Sequence, residues 1–273
     1  MKIINSPSQL QTLLKDSQKS IGFVPTMGAL HLGHRTLIER AKKENEIAVV
    51  SIFVNPTQFL EGEDLDAYPR KEEVDQKICE LSGVDYLFYP SAEMMYGDDE
   101  VSLNAPNVRG YIMEGSSRPG HFSGVLTVVN KLLNIVQPTR AYFGKKDAQQ
   151  LMIIETMVQN LFMDVLIIPM DTVREKDGLA MSSRNVYLSS QERKQALNII
   201  KSLRIATQLV MRDELSVVKI QKVMLEALDP LLVEYVTIVN RKFEPIDVVE
   251  VGNTIILVEA ISGSTRLLDN IWI

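Results

Sequence analysis

Two histidines, His31 and His34, stand three residues apart between a strand-like segment and a helix-like one. The first N–H groups of a helix attract anions, and imidazole N–H donors suit the negative charge that develops on phosphate oxygens. Gly33 between them allows a ligand or a backbone to approach closely. The segment 28–35 has the glycine spacing of a phosphate loop, but His34 and Arg35 replace the lysine and the hydroxyl that a Walker loop needs. We therefore expect the two histidines to contact phosphate in another arrangement.

A metal pair and ordinary surface histidines are the alternatives for His31 and His34. Neither a cysteine nor a third histidine lies nearby in the sequence, and the HExxH spacing of zinc enzymes is absent. Of the three histidines in the chain, two occupy this one segment. These observations favour phosphate binding, and we expect no metal site built from protein ligands.

Lys145 and Lys146 follow the strand-like segment RAYF at the start of a predicted helix. A cation at that position opposes the helix dipole, so it indicates an anionic ligand rather than helix stabilisation. Asp147 and Gln150 have the spacing of a capping box. From these residues alone, a helix cap and a ligand contact are equally favoured.

Two further polar segments carry candidates. Ser182, Ser183 and Arg184 lie in the segment MSSRN, where hydroxyls and a guanidinium on a loop suit clamping over phosphates. A simple turn fits that segment equally well. Asn55 and Gln58 follow a strand-like run, and their amides suit binding of hydroxyls or a carboxylate. A turn at Asn-Pro is the alternative for that pair.

Strand-like and helix-like segments alternate through the first two-thirds of the chain and must position these residues. Apolar β-branched runs predict buried strands, and apolar residues every three or four positions predict helices. This rhythm predicts an α/β fold with a doubly wound parallel sheet, in which ligands bind beyond the carboxyl ends of the strands. The predicted strands are 20–25, 47–54, 85–90, 140–144 and 164–169, and the predicted helices are 34–44, 70–82, 124–136 and 148–161.

The pattern changes after about residue 174. Ser189 and Glu192 have capping-box spacing and open a predicted helix. We expect a smaller C-terminal α+β domain at 175–273, after a first domain at 1–174. Its second helix covers about 216–228, and its strand-like runs are 233–239, 253–261 and 265–273.

Composition restricts the class of protein. The net charge of −6 and the pI near 5.3 disfavour a nucleic-acid partner, because an acidic surface repels phosphate backbones. The longest apolar-rich runs, 47–54 and 254–261, are far shorter than the ~18 residues that a membrane span needs. The first residues lack the apolar stretch of a secretory signal. One cysteine excludes an intramolecular disulfide and is consistent with a cytoplasmic protein.

That cysteine, Cys79, lies in EEVDQKICELSGVD, which predicts a helix. Val74, Ile78 and Leu81 share one face of this helix. We expect Cys79 to be a small packed thiol rather than a nucleophile.

Six segments, in order, resemble blocks of the pantothenate synthetase (pantoate–β-alanine ligase) family, within the HIGH-type nucleotidyltransferase superfamily. They are VPTMGALHLGH, SIFVNPTQF, DAYPR, SRPGHFSGV, YFGKKDAQQ and TVREKDGLAMSSRN, and the ending TRLLDN also fits. The first block resembles the HIGH motif, and MSSRN occupies the place of the KMSKS loop. The resemblance covers nearly the whole chain. It implies a Rossmann-like domain with a C-terminal lid domain, usually assembled as a homodimer.

The resemblance implies that ATP, (R)-pantoate and β-alanine give pantothenate, AMP and diphosphate through a pantoyl-adenylate, with Mg²⁺ accompanying ATP. It also implies the residues that do this, with His31, His34, Lys146 and Arg184 as the catalytic candidates. The implied ATP contacts are Pro25, Met27, His34, Gly144, Lys146, Asp147, Val173, Met181, Ser182, Ser183 and Arg184. The implied contacts to pantoate and β-alanine are Asn55, Gln58 and Gln150.

Three features depart from the family pattern: Lys145 where an acidic residue is common, Ala148 where an aromatic is common, and the run at 59–63. They flank the expected site and bear on affinity rather than on the reaction. The alternatives are another HIGH-type nucleotidyltransferase, acting on a phosphorylated alcohol, and a catalytically inactive binding or scaffold protein. The intact catalytic candidates argue against the inactive protein, and the acidic balance disfavours a tRNA synthetase fragment.

Overall fold

A computed structural model describes all 273 residues, Met1–Ile273. The chain forms two compact units: a first unit of Met1–Lys145 and Ile153–Asp171, and a second unit of Lys146–Met152 and Thr172–Ile273. The short stretch Lys146–Met152 therefore belongs to the second unit although it follows a strand of the first. The compact units describe how the chain is packed. Whether residues 1–174 and 175–273 are two independent domains stays a prediction.

The first unit contains a six-stranded sheet in which every neighbouring pair of strands is parallel. Its order β1-β4-β3-β2-β5-β6 places β2 beside β5, where the direction of the strand order reverses. Doubly wound sheets bind ligands at this point. The predicted α/β class is confirmed, and β1 is a strand that the apolar pattern does not predict. The strands are β1 (Lys2–Ile4), β2 (Ile21–Thr26), β3 (Ile47–Ile52), β4 (Tyr86–Phe88), β5 (Arg140–Gly144) and β6 (Leu166–Met170).

Seven helices precede or link these strands. Ile38 and Ala41 on α2 pack against Val24, Val50 and Leu87 of three neighbouring strands, which forms one side of the core. No helix of the chain is long and apolar enough to cross a membrane. The helices are α1 (Pro7–Leu14), α2 (Leu32–Glu44), α3 (Glu72–Leu81), α4 (Ala92–Met95), α5 (Glu114–Ser117), α6 (His121–Val136) and α7 (Ala148–Asn160).

Helix α3 does not bury the face that its apolar residues indicate. Val74 and Leu81 are 53 and 72 % exposed and Ile78 is partly buried, whereas Asp75 and Cys79 are buried. Burial of Asp75 is tolerated because backbone N–H groups bind its carboxylate. The packed thiol is confirmed, since burial raises the pKa of Cys79 to about 12 and keeps it protonated.

The second unit combines two helices with an antiparallel sheet of order β7-β8-β9. Ser189 and Glu192 form the predicted capping box, with the Ser189 N–H donating to Glu192 Oε2 at 2.8 Å. Both helices face the sheet with apolar residues such as Ile199 and Ile220. The predicted α+β content is thereby confirmed. The elements are α8 (Ser190–Val210), α9 (Val217–Leu228), β7 (Leu232–Asn240), β8 (Thr254–Ser262) and β9 (Thr265–Trp272).

Candidate active site

The two histidines lie at the start of α2, just after β2. The helix begins at Leu32 rather than at His34, because His31 is its N-cap and its Nδ1 accepts from the Gly33 N–H at 3.1 Å. His34 Nδ1 accepts in turn from the His31 N–H at 3.3 Å. The two rings stack with their centroids 4.0 Å apart. Because both Nδ1 atoms act as acceptors, both neutral rings carry their proton on Nε2 and form a pair of N–H donors.

The loop before this helix is held in an unusual backbone conformation. Gly28 and Ala29 have φ angles of +85° and +49°, and the second is uncommon for a residue with a Cβ. The carboxylate of Asp75 accepts from the N–H groups of Ala29 and Leu30 at 2.8 and 2.7 Å. Burial raises the pKa of Asp75, and those two hydrogen bonds oppose the rise. Asp75 therefore fixes the path of the chain into His31.

Gln58 ends a short 3₁₀ turn, Pro56–Gln58, beyond β3. Its Oε1 accepts from Asn55 Nδ2 at 3.0 Å, and its Nε2 lies 3.2 Å from the sulfur of Met27. The amide of Asn55 is itself oriented, because its Oδ1 accepts from the hydroxyl of Tyr96 at 2.6 Å. The Gln58 side chain is therefore oriented as an N–H donor, which suits a carboxylate or a hydroxyl.

The main chain of Gln58 is held by Arg118 and by His121, the first residue of helix α6. Its carbonyl oxygen lies 2.8 Å from Nδ1 of His121 and accepts from Nη2 of Arg118 at 3.3 Å. Arg118 Nη1 lies 2.9 Å from His121 Nε2, so the neutral tautomer with its proton on Nδ1 satisfies both neighbours. Burial and the adjacent Arg118 lower the pKa of His121, which favours this neutral form. A Cβ on Gly124 would lie 2.3 Å from the Thr57 carbonyl oxygen, so glycine there permits the close approach of α6.

Arg118 is buried and pairs with two carboxylates. Its Nε and Nη2 donate to the two oxygens of Glu63 at 2.7 and 2.5 Å, and its Nη1 donates to Glu114 at 3.2 Å. Sequence reasoning places Arg118 and His121 in a family block but gives neither of them a role. The available signal is an arginine shortly before the strongly apolar helix α6 and a histidine at its first residue, where buried charges need partners.

A cavity of about 180 Å³ opens beside Met27 and Gly28 in the first unit. Arg70 and Lys71 give its lining positive charge, and Asp75 lies in its wall. The two histidines, Asn55 and Gln58 do not line it. Among the predicted site residues, only Met27 faces this cavity.

Gly144 ends β5, beside β2 in the sheet, and the chain then enters the turn Lys145–Asp147. Lys145 Nζ pairs with Asp171 at 2.6 Å, both in the first unit. Lys146, in the second unit, points its Nζ to within 3.4 Å of Asp147 Oδ1. Gln150 lies in the first turns of α7 and is partly buried. The two adjacent lysines therefore have different partners.

The segment MSSRN forms an ordered turn of the second unit. Ser182 caps the 3₁₀ turn Ser183–Tyr187, and its Oγ accepts from the Arg184 N–H at 3.3 Å. The Met181 N–H donates to the Val173 carbonyl at 3.0 Å, which joins the two ends of the polar stretch, residues 173–181. Arg184 is partly exposed.

Comparison with known proteins gives one consistent result. A sequence model described as pantoate-beta-alanine ligase matches residues 2–272. A pantothenate synthetase of Sulfurimonas denitrificans is 62% identical over 273 residues, with 100% of both chains covered. The crystal structure of pantothenate synthetase from Thermus thermophilus has a TM-score of 0.95 at 40% identity and covers 99% of each chain.

A further solved structure is that of a pantoate-beta-alanine ligase from Francisella tularensis, complexed with beta-gamma ATP and beta-alanine. It has a TM-score of 0.83 at 36% identity and covers 100% of this chain and 97% of its own. The matches extend over the whole length of both units, and the parallel sheet agrees with the fold of the solved relatives. The chain therefore belongs to the pantoate–β-alanine ligase family, and it is an ATP-dependent ligase that joins pantoate to β-alanine through an amide bond.

Proposed function

We propose how individual residues of this chain carry the ligase reaction. In the first step the carboxylate of pantoate attacks the α-phosphorus of ATP, pantoyl-adenylate forms and diphosphate leaves. The nucleophile is already an anion, so the step needs no general base. It needs neutralisation of charge and correct placement, and placement alone can contribute roughly 7–11 kcal/mol.

His31 and His34 are proposed to bind phosphate oxygens. Their Nδ1 atoms accept from the main chain, which leaves Nε2–H as the donor of each ring. The start of α2 adds the positive end of a helix dipole. This pair of preset donors is the observation that carries the proposal, because it stabilises negative charge without reorganisation.

Lys146 and Arg184 are proposed to neutralise the negative charge of the leaving diphosphate. Ser182 and Ser183 are proposed as further hydrogen-bond donors to it. ATP enters as its magnesium complex, since Mg²⁺ is usually held through substrate phosphates and water. The proposed contacts to the rest of ATP are Pro25, Met27, Gly144, Asp147, Val173 and Met181. Residues 175–273 are proposed to act as a lid domain over the nucleotide- and pantoate-binding domain, 1–174.

Gln58 is proposed to bind pantoate through its amide N–H groups, with Asn55 orienting that amide and Gln150 as a further contact. The supporting geometry is the fixed direction of the Gln58 amide, whose oxygen is occupied by Asn55. In the second step the neutral amine of β-alanine attacks the mixed anhydride, and AMP leaves. We assign no base on the enzyme to this amine.

We also propose a cytoplasmic homodimer. Strand β6 is an edge strand of the sheet, and Leu161, Phe162 and Leu166 next to or within it are 48, 93 and 57 % exposed. A second copy of the chain would cover this apolar edge. Sedimentation equilibrium should give twice the monomer mass, and Phe162→Asp should shift the protein towards monomer. A wild-type mass of one chain at assay concentration would contradict the dimer.

Exchange of labelled diphosphate into ATP tests the adenylation step. With MgATP and pantoate present and β-alanine omitted, we expect exchange in the wild-type enzyme and a strong loss in His34→Ala. Exchange that strictly requires β-alanine would argue against a free pantoyl-adenylate. Exchange with a phosphorylated alcohol in place of pantoate would favour the alternative nucleotidyltransferase.

A further inference from the structure

Asn270, near the end of β9, binds the backbone of a residue 124 positions earlier. Its Nδ2 donates to the carbonyl oxygen of Lys146 at 2.7 Å, and Asn270 is only 3 % exposed. The orientation of the amide is fixed, because Trp272 Nε1 donates to Asn270 Oδ1 at 3.0 Å. The acceptor Oδ1 therefore faces Trp272, and the N–H donor faces Lys146.

The preceding residue, Asp269, holds the start of the polar stretch by an ion pair with Arg174. Arg174 Nη1 and Nη2 donate to its two carboxylate oxygens at 2.6 and 3.1 Å, and Asp269 is 4 % exposed. Arg174 also donates to the Gly178 carbonyl at 3.2 Å. Neighbouring residues of one strand thus bind the Lys146 segment and the segment that leads to MSSRN.

The contact of Asn270 with Lys146 agrees with the division of the chain into two compact units. The stretch Lys146–Met152 belongs to the second unit, although the ion pair of Lys145 with Asp171 remains in the first. The side chain of Asn270 ties this stretch to β9 of its own unit. Lysine has a long flexible side chain, so the placement of its ammonium group depends on how firmly its backbone is held.

We infer that Asn270 is a positioning residue for Lys146, which it holds by the hydrogen bond to the Lys146 carbonyl so that the ammonium group meets the phosphates of ATP. Trp272 supports this by fixing the amide of Asn270. The inference rests on the proposed phosphate role of Lys146.

The test is a double-mutant cycle on single-turnover adenylation, with Asn270→Ala, Lys146→Ala and both together. Asn270→Ala should slow adenylation at least tenfold and leave the KM for pantoate within twofold. In the Lys146→Ala enzyme, adding Asn270→Ala should change the rate less than twofold, because the ammonium group that it positions is already absent. Asn198→Ala is the matched control, since Asn198 Nδ2 also donates to a backbone carbonyl, that of Asp229, at 2.6 Å in the same unit.

Two further variants separate the loss of the hydrogen bond from misfolding of the protein. Asn270→Asp keeps the size but replaces the donor with an acceptor and should slow adenylation as Asn270→Ala does. Trp272→Phe keeps a ring and removes only the N–H, so a smaller loss in the same direction is expected. Independent, multiplicative losses in the double mutant, or a rate in Asn270→Ala equal to that of Asn198→Ala, would overturn the inference while Lys146→Ala alone remains impaired. Normal adenylation by Lys146→Ala would instead remove the proposed role of Lys146, and the inference with it.

Discussion

The carboxylate of Asp75 accepts the backbone N–H of Leu30 at 2.7 Å, across 45 residues of sequence. The same carboxylate binds the N–H of Ala29, whose φ is positive. One buried side chain on α3 thus stabilises the loop that delivers the paired histidines to the start of α2. The shape of that loop depends on contacts remote in the sequence.

Asp75→Asn should weaken this loop, because an amide offers one acceptor oxygen and places its own N–H₂ against the second N–H. We expect a loss of about 1–3 kcal/mol in the free energy of unfolding, together with a higher KM for ATP. Urea unfolding and initial-rate kinetics measure the two effects. Glu73→Gln, on the exposed face of the same helix, is the control. Unchanged stability and KM in Asp75→Asn would show that the loop holds its conformation without this contact.

His121 should make stability depend on pH. Burial and Arg118 lower its folded-state pKa below the unfolded value of about 6.5, although Glu114 and Glu63 oppose them. The unfolded chain therefore binds the proton more readily, and stability falls as pH drops below about 6.5 towards the folded-state pKa. His121→Asn, which keeps an N–H donor near the Gln58 carbonyl, should flatten that part of the profile. Parallel urea midpoints for both proteins between pH 7 and 5 would contradict this assignment.

The Tyr96 hydroxyl should affect the binding of pantoate indirectly, because it orients the amide of Asn55, which in turn orients the amide of Gln58. Tyr96→Phe removes the donor to Asn55 Oδ1, and a bond of this kind contributes about 1 kcal/mol, so the KM for pantoate should rise several-fold. Gln58→Ala should raise it much further, while the KM for ATP changes little in both variants. Tyr86→Phe on β4 serves as the control. An equal rise in the KM for ATP would point to general distortion of the site.

Lys146→Ala should slow adenylation by about two orders of magnitude or more, the scale for one preorganised donor. Its stability should barely change, because Lys146 pairs with its chain neighbour Asp147, whose side chain is 44% exposed. Lys145→Ala is a matched control: Lys145 pairs with Asp171, whose side chain is 87% exposed. Single-turnover rates that fall equally in both variants would argue against a specific role of Lys146.

Arg184→Ala should release pantoyl-adenylate to water. If the segment 176–186 closes over ATP, MgATP should slow trypsin cleavage after Lys176 and Arg184 in the wild-type enzyme, because closure excludes protease and water together. The variant should lose this protection at Lys176 and produce more free pantoate and AMP per pantothenate. Cleavage that is indifferent to MgATP, with an unchanged ratio of hydrolysis to product, would mean that the segment is a static contact.

The order of strands and helices can be predicted from the sequence, because the spacing of apolar residues and the position of turn residues are local signals. His31 and Asn55 follow strands and Gly144 ends one, so their place at the carboxyl ends of a parallel sheet follows from the predicted fold. The contacts of Asp75 and Asn270 do not follow, because each pairs with backbone groups far away in the sequence. The buried face of α3 does not follow from the sequence for the same reason: distant N–H groups make burial of the Asp75 carboxylate tolerable.

The single cysteine gives this enzyme a practical property. The thiolate is the form of cysteine that attacks maleimides and iodoacetamide, and Cys79 is fully enclosed with a pKa raised to about 12. The folded protein should therefore be almost inert to these reagents, and slow labelling would report the opening of α3 from the core. A cysteine introduced at an exposed position such as Lys176 would then accept a fluorophore at one site without removal of the native thiol. Fluorescence from that position could follow the polar stretch in real time as nucleotide binds.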